Sequence, residues 1–160
     1  MDMTAIAALA GFLLACFAAA STGAIFKPDA WYEGLAKPAW NPPNWLFPPA
    51  WAVLYVLMAV AAWLVWREAG FGGAPLAFLL WVVQLVLNAA WSWIFFGMKR
   101  MDLAFVELTA LWLAILATIL AFALVSATAA WLMAPYLAWV TVGGALNLKV
   151  WQMNRARVTA

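Results

Sequence analysis

Five nearly uninterrupted apolar stretches occupy most of this chain, and each is about as long as an α-helix must be to cross the hydrocarbon core of a bilayer. They run over roughly residues 4–26, 47–66, 75–96, 103–125 and 129–148. A water-soluble surface is not available as an alternative, because 9% of the 160 residues are charged, against the roughly 25–35% that such a surface carries. The predicted fold class is an all-α membrane protein, a five-transmembrane-helix bundle. The spans leave no length for a soluble domain, so residues 1–160 are read as one membrane domain. The segment Ala18-Ala19-Ala20-Ser21 resembles a signal-peptide cleavage site, but Asp2 and the lack of a basic n-region argue for a retained helix.

The same residues remove whole classes of chemistry. The chain has no histidine, and Cys16 is its single cysteine. Structural zinc, iron–sulfur clusters, internal disulfides and histidine-based general acid–base or nucleophilic catalysis therefore have no material. The expectation is no metal and no required cofactor. The formal charge of +2 contains no basic run, so nucleic acid is not an expected partner.

Charge does set topology. With five spans, the first and third connections and the C-terminus share one face, which carries Lys27, Lys37, Lys99, Arg100, Lys149, Arg155 and Arg157, while Arg67 stands alone on the other. By the positive-inside rule the first loop and the C-terminus are cytoplasmic and the N-terminus is outside, as in ordinary inner-membrane insertion.

The first connection, KPDAWYEGLAKPAWNPPNWL, is unlike the others. It contains four of the eight prolines, with Pro48 and Pro49 just beyond it, together with Trp31, Tyr32, Trp40 and Trp45. Proline stiffens the backbone and large aromatics seek an interface or a cover, so a structured lid is predicted. Pro48 and Pro49 either begin the second span or kink it.

Within the spans, three kinds of residue stand out. Ala7, Gly11, Ala15, Ala19 and Gly23 form a small-residue stripe on the first span, suited to internal packing or to a homodimer face. On the third span Gln84, Asn88 and Ser92 share a face flanked by Trp81 and Trp91; buried amides there serve as interhelical glue or as a ligand-binding wall. The fifth span shows a comparable face through Tyr136, Trp139, Gly143 and Asn147, and the second contributes Trp51 and Tyr55. Glu107, the one carboxylate inside a span, either reaches the interface or pairs with Lys99, Arg100 or a ligand. Trp63, Trp66 and Trp131, near span ends, read as interfacial belt residues.

In this order and at these positions the motifs resemble the TspO/MBR family, the translocator proteins or peripheral-type benzodiazepine receptors, and in particular its bacterial members. They are W-Y-x-x-L-x-K-P-x-W-x-P-P from Trp31 to Pro43, Trp51, N-x-x-W-S with F-F-G-M-K-R-M from Asn88 to Met101, and P-Y-L-A-W with L-N from Pro135 to Asn147. The resemblance covers essentially the whole chain. It implies a five-helix bundle, commonly a homodimer, whose first loop folds over an internal pocket. The implied function is a membrane receptor for tetrapyrroles such as protoporphyrin IX and other flat hydrophobic ligands, acting in porphyrin sequestration, sensing or transport. Haem-like ligands, sterols and synthetic isoquinolines are further implied partners, beside membrane lipid.

Residue by residue, the resemblance implies a ligand site made of Tyr32, Trp40, Pro42, Trp51, Asn88, Trp91, Ser92, Trp139 and Gly143. Trp51 and Trp139 match tryptophans linked in bacterial members to light-dependent porphyrin breakdown, so a light- and oxygen-dependent degrading enzyme is an alternative, with a small transporter or interaction scaffold as a third. Glu107 falls where relatives often carry an acidic residue. Two departures stand out. Leu148 and Lys149 replace aromatics of the sterol motif in animal members, so the resemblance does not extend to that motif, and Gly143 stands where relatives usually have alanine.

Overall fold

The computed structural model of the protein describes residues 1–158, with side chains through residue 156, so Arg157, counted above on the basic face, lies outside the described side chains. In chain order the helices are α1 (Met3–Ile25), the one-turn α2 (Ala30–Glu33), α3 (Phe47–Gly73), α4 (Pro75–Ser92), α5 (Met101–Ala123) and α6 (Ala127–Val158). A 3-10 turn over Asn44–Leu46 leads into α3, and a π turn over Trp93–Gly97 follows α4. No strand occurs among the described residues. Five helices are long and apolar enough to span a membrane, and the protein is a multi-pass membrane protein.

Helix ends reflect local chemistry. Asp2 caps α1 by accepting the Ala5 N–H at 2.7 Å, and Ser126 caps α6 by accepting the Ala129 N–H at 3.2 Å. Pro48 and Pro49 occupy the first turn of α3, where their missing N–H groups cost nothing. Both α3 and α6 run past the apolar stretches that announced them. Hydropathy marks where lipid ends, and helical hydrogen bonding continues into the interface until a breaker arrives. In α3 the breaker is Gly70, with φ of 65°, a left-handed conformation suited to glycine. The turn there returns Phe71 onto Phe78, with ring centroids 4.8 Å apart, and toward Phe12 at 6.2 Å.

The five long helices close a ring in the order α1, α3, α6, α5, α4 and back to α1. Away from the first loop the interior is solid. Met58, Ala59, Ala61, Ala62 and Val65 of α3, Trp81 of α4, Ile115 and Phe122 of α5 and Met133 of α6 are all buried there. Lipid tails are as apolar as these side chains, so association rests on close packing and interhelical hydrogen bonds. The alanines let α3 approach its neighbours, and indoles supply the bonds. Trp63 Nε1 donates to the Ala5 carbonyl at 2.9 Å, Trp81 Nε1 to the Met58 carbonyl at 3.2 Å, and Trp112 Nε1 to Thr141 Oγ1 at 2.8 Å. Trp63 thus ties α3 to α1, with the Arg67 guanidinium 4.8 Å from its ring, and is more than a belt residue. Trp131, 76% exposed, has the exposure of one.

The small-residue stripe of α1 divides. Ala19 is buried, and a Cβ at Gly23 would lie 3.8 Å from Ser92 Oγ of α4, whereas Gly11 has open space around it. Only the half nearer the lid meets another helix of the chain.

Because the solid half is packed around alanine, Ala62→Leu should overpack it and cost about 1–3 kcal/mol, seen as a lower unfolding temperature in detergent. Leu79→Ala, at a position 59% exposed on the outer surface of α4, should leave that temperature unchanged.

Candidate functional site

Toward the first loop the ring of helices is hollow. A cavity of about 680 Å³ lies between the lid-side halves of all five long helices, within the range typical of small-molecule sites. Its wall is largely apolar and aromatic, with Phe17 of α1, Phe47 and Trp51 of α3, Trp91 of α4, Phe95 and Phe96 of the π turn, Leu108 and Leu111 of α5, and Trp139 of α6. Polar atoms enter at few points, among them Thr22, Tyr32, Asn44, Tyr55, Asn88, Ser92 and Asn147.

The floor is set by Asn88. Its Oδ1 accepts the Tyr55 hydroxyl at 2.6 Å, and its Nδ2 donates to the Tyr136 hydroxyl oxygen at 2.7 Å. One amide thereby joins α3, α4 and α6 at a single depth. Trp51 packs on the same group, 5.6 Å from the Tyr55 ring and 6.1 Å from the Tyr136 ring. A second asparagine repeats the device nearer the mouth: Asn147 Oδ1 accepts Trp91 Nε1 at 3.0 Å, and its Nδ2 donates to the Met101 carbonyl at 2.9 Å. Both amides are wall and glue at once, so the two readings of these polar faces describe the same residues. Gln84, on the same helix face, is completely buried in the solid half, away from the cavity wall, with Met58 Sδ 3.8 Å from its Nε2.

The roof is the first loop, and it is structured. Asp29 caps α2 by accepting the Tyr32 N–H at 3.2 Å. Tyr32 and Leu35 are then buried against Phe95, Met101, Ala104 and Val150, a small core of the lid's own. Burial raises the Tyr32 phenol above its usual pKa, and the nearby Asn41 side chain opposes that shift. A third asparagine fastens the loop. Asn154 of α6, 1% exposed, accepts the Ala36 N–H at 3.0 Å and returns hydrogen bonds to the Ala36 and Val150 carbonyls at 2.9 and 2.7 Å. A side-chain amide satisfies both backbone groups of one lid residue, as a neighbouring strand would.

Of the residues expected at the site, Tyr32, Pro42, Trp51, Asn88, Trp91, Ser92, Trp139 and Gly143 all line the cavity. Trp40 does not; it lies within a turn closed by the Asn41 N–H to the Pro38 carbonyl, and it is 50% exposed. A Cβ at Gly143 would meet nothing within 4 Å, so this glycine leaves room in the wall. Glu107 pairs with neither Lys99 nor Arg100. Both carboxylate oxygens are covered without a hydrogen-bond partner, and Arg100 is taken by Asp102 at 2.7 Å. As residues of the site, Lys27, Phe47, Leu108, Leu111 and Asn154 were not singled out by sequence reasoning, which read Lys27 for topology alone. Asn154 had a legible signal, since Asn147, Val150 and Asn154 recur at helical spacing on the face already marked by Tyr136 and Gly143.

Residues 12–152 match the sequence model of the TspO/MBR family. The chain is 46% identical over 149 residues to the tryptophan-rich sensory protein of Cereibacter sphaeroides, covering 93% of this chain and 92% of that one. It is 44% identical over 147 residues to protein CrtK of Rhodobacter capsulatus, covering 89% and 90%. To the translocator protein of Homo sapiens it is 44% identical over 126 residues, covering 78% and 75%.

Replacing Asn154 by Ala should release the lid without unfolding the bundle. Hydrogen exchange at Ala36 and its neighbours should quicken by about 5- to 150-fold, as expected for about 1–3 kcal/mol lost on leaving buried backbone groups unpaired, while exchange in α5 stays unchanged.

Proposed function

We propose that this chain, which belongs to the TspO/MBR family, is a membrane receptor for tetrapyrroles of the protoporphyrin IX kind and for other flat apolar molecules, serving to sequester, sense or move them. The observation that carries this reading is the cavity of about 680 Å³ with indole rings from three different helices in its wall, beneath a lid with its own core. Broad π faces stack on indoles, and such contacts add about 0.5–1.5 kcal/mol each beyond the area they bury. The polar groups of the floor are already paired with one another, which suits an apolar ligand body. The names of the relatives, a sensory protein and a translocator, are consistent with binding followed by signalling or transfer.

A degradative role is the second reading, and one feature favours it. Trp51 and Trp139 both face the cavity, and each is backed by another ring, Trp51 by Tyr55 and Tyr136 and Trp139 by Phe47 at 5.8 Å. In that case the pigment carries the light and oxygen chemistry, and the protein supplies placement. Titrating protoporphyrin IX into the detergent-solubilised protein should quench tryptophan fluorescence saturably, and non-saturable quenching would remove the receptor reading. Trp139→Phe should keep binding within about threefold; if bound porphyrin then bleaches as fast as in wild type, Trp139 has no degradative role.

The lid face is proposed to be cytoplasmic. Lys27, Lys37, Lys99, Arg100, Lys149 and Arg155 all belong to the lid end of the bundle, while Arg67 lies at the other end. A cysteine placed at position 39 of a Cys16→Ser background should react with a membrane-impermeant maleimide only in inverted vesicles, and labelling in intact cells would reverse the assignment.

A further inference from the structure

The charge distribution around the cavity is one-sided. Among the described residues Lys27 is the only charged one in its wall, and no aspartate or glutamate lines it. Of the other three lysines at this end, two stand over aromatic rings of the lid, Lys37 Nζ at 4.4 Å from the Tyr32 centroid and Lys99 Nζ at 6.0 Å from Trp31, and Lys149 lies outside the cavity wall. Among the described residues the one ion pair is Arg100 with Asp102, so Lys27 has no acidic partner. Asp29, two residues on, spends its carboxylate on the cap of α2. Lys27 follows the C-cap of α1 at Phe26, where the first apolar stretch ends. The residue is exposed as well as part of the wall, and a lysine so placed can keep its stem on apolar surface and its ammonium in water, so that meeting an anion at the mouth requires little desolvation.

From this geometry we infer that the cavity selects anionic amphiphiles, flat apolar molecules bearing a carboxylate at one end, and that Lys27 is the specificity-determining residue that holds the carboxylate at the mouth. The inference deepens the tetrapyrrole reading and rests on it for the apolar body of the ligand. The ligand enters the wall body-first. Its rings lie among Trp51, Trp91 and Trp139, and its charge remains beside Lys27 with Thr22 and Asn44, which line the same cavity. A neutral analogue keeps the stacking and loses the ion pair. The contribution is that of an exposed pair, about fivefold in affinity, and it falls as salt rises.

The test compares each acid with its neutral ester in the full-length protein in detergent. Protoporphyrin IX is set against its dimethyl ester, and pyrenebutyric acid against its methyl ester, for wild type, Lys27→Gln and Lys27→Arg. Wild type should bind both acids about fivefold more tightly than their esters, with the preference shrinking at high salt. Lys27→Gln should weaken the acids alone and abolish the preference, and Lys27→Arg should retain it. Equal affinity for acid and ester in wild type overturns the inference, as does a Lys27→Gln variant that weakens both alike or neither. A charge preference for the pyrene pair without saturable binding of either porphyrin leaves the role of Lys27 standing and removes the tetrapyrrole reading. Absence of saturable binding by any of the four removes both.

Discussion

Inside a bilayer a polar group that finds no partner in the protein finds none at all, and Asn88 shows how the bundle meets that constraint. Its amide is satisfied by two tyrosines from two other helices, at 2.6 and 2.7 Å. The arrangement fixes the separation and rotation of α3, α4 and α6 together, because loss of any one bond leaves a buried polar atom unpaired. It also marks the level at which the molecule changes character. Beyond it toward α6's N-terminus, alanines and methionines fill the interior; on the lid side the helices enclose space.

The hollow half needs its own support, since empty volume forfeits the packing that holds transmembrane helices together. Asn147 and Asn154 supply part of it. Asn147 binds α6 to the Trp91 indole and to the start of α5. Asn154, two turns further along the same face, binds α6 to the lid. The lid therefore contributes to stability as well as to closure, through the small core of Tyr32 and Leu35 against Phe95 and Val150. In this design the roof, the wall and the helix contacts share residues, so ligand access and bundle stability are coupled.

Particular residues show how far the sequence could be read and where it stopped. The spans were legible because apolar length is a one-dimensional property, and the stiff loop because Pro and Trp cluster in it. The inward faces were legible too: Asn88, Trp91, Tyr136 and Trp139 had to turn inward once lipid was the solvent. What could not be read was partnership. Glu107 had Lys99 and Arg100 within sequence reach, yet Arg100 bonds Asp102 and the Glu107 oxygens lie covered and unpartnered. Trp40 shares the aromatic motif of Tyr32, yet the turn at Pro38 leaves it half exposed.

By itself, then, the amino-acid order determined the solvent, the number of crossings, the gathering of basic residues at one end and the absence of histidine or clustered-thiol chemistry. All of these follow from local composition and from counting. The tertiary structure alone decided that the interior is solid on one side of Asn88 and open on the other, that Asn154 holds a lid 118 residues away, and that Lys27 is the charged residue in the cavity wall. Those outcomes depend on the relative rotation and depth of helices distant in the chain, which packing sets jointly and no single segment encodes.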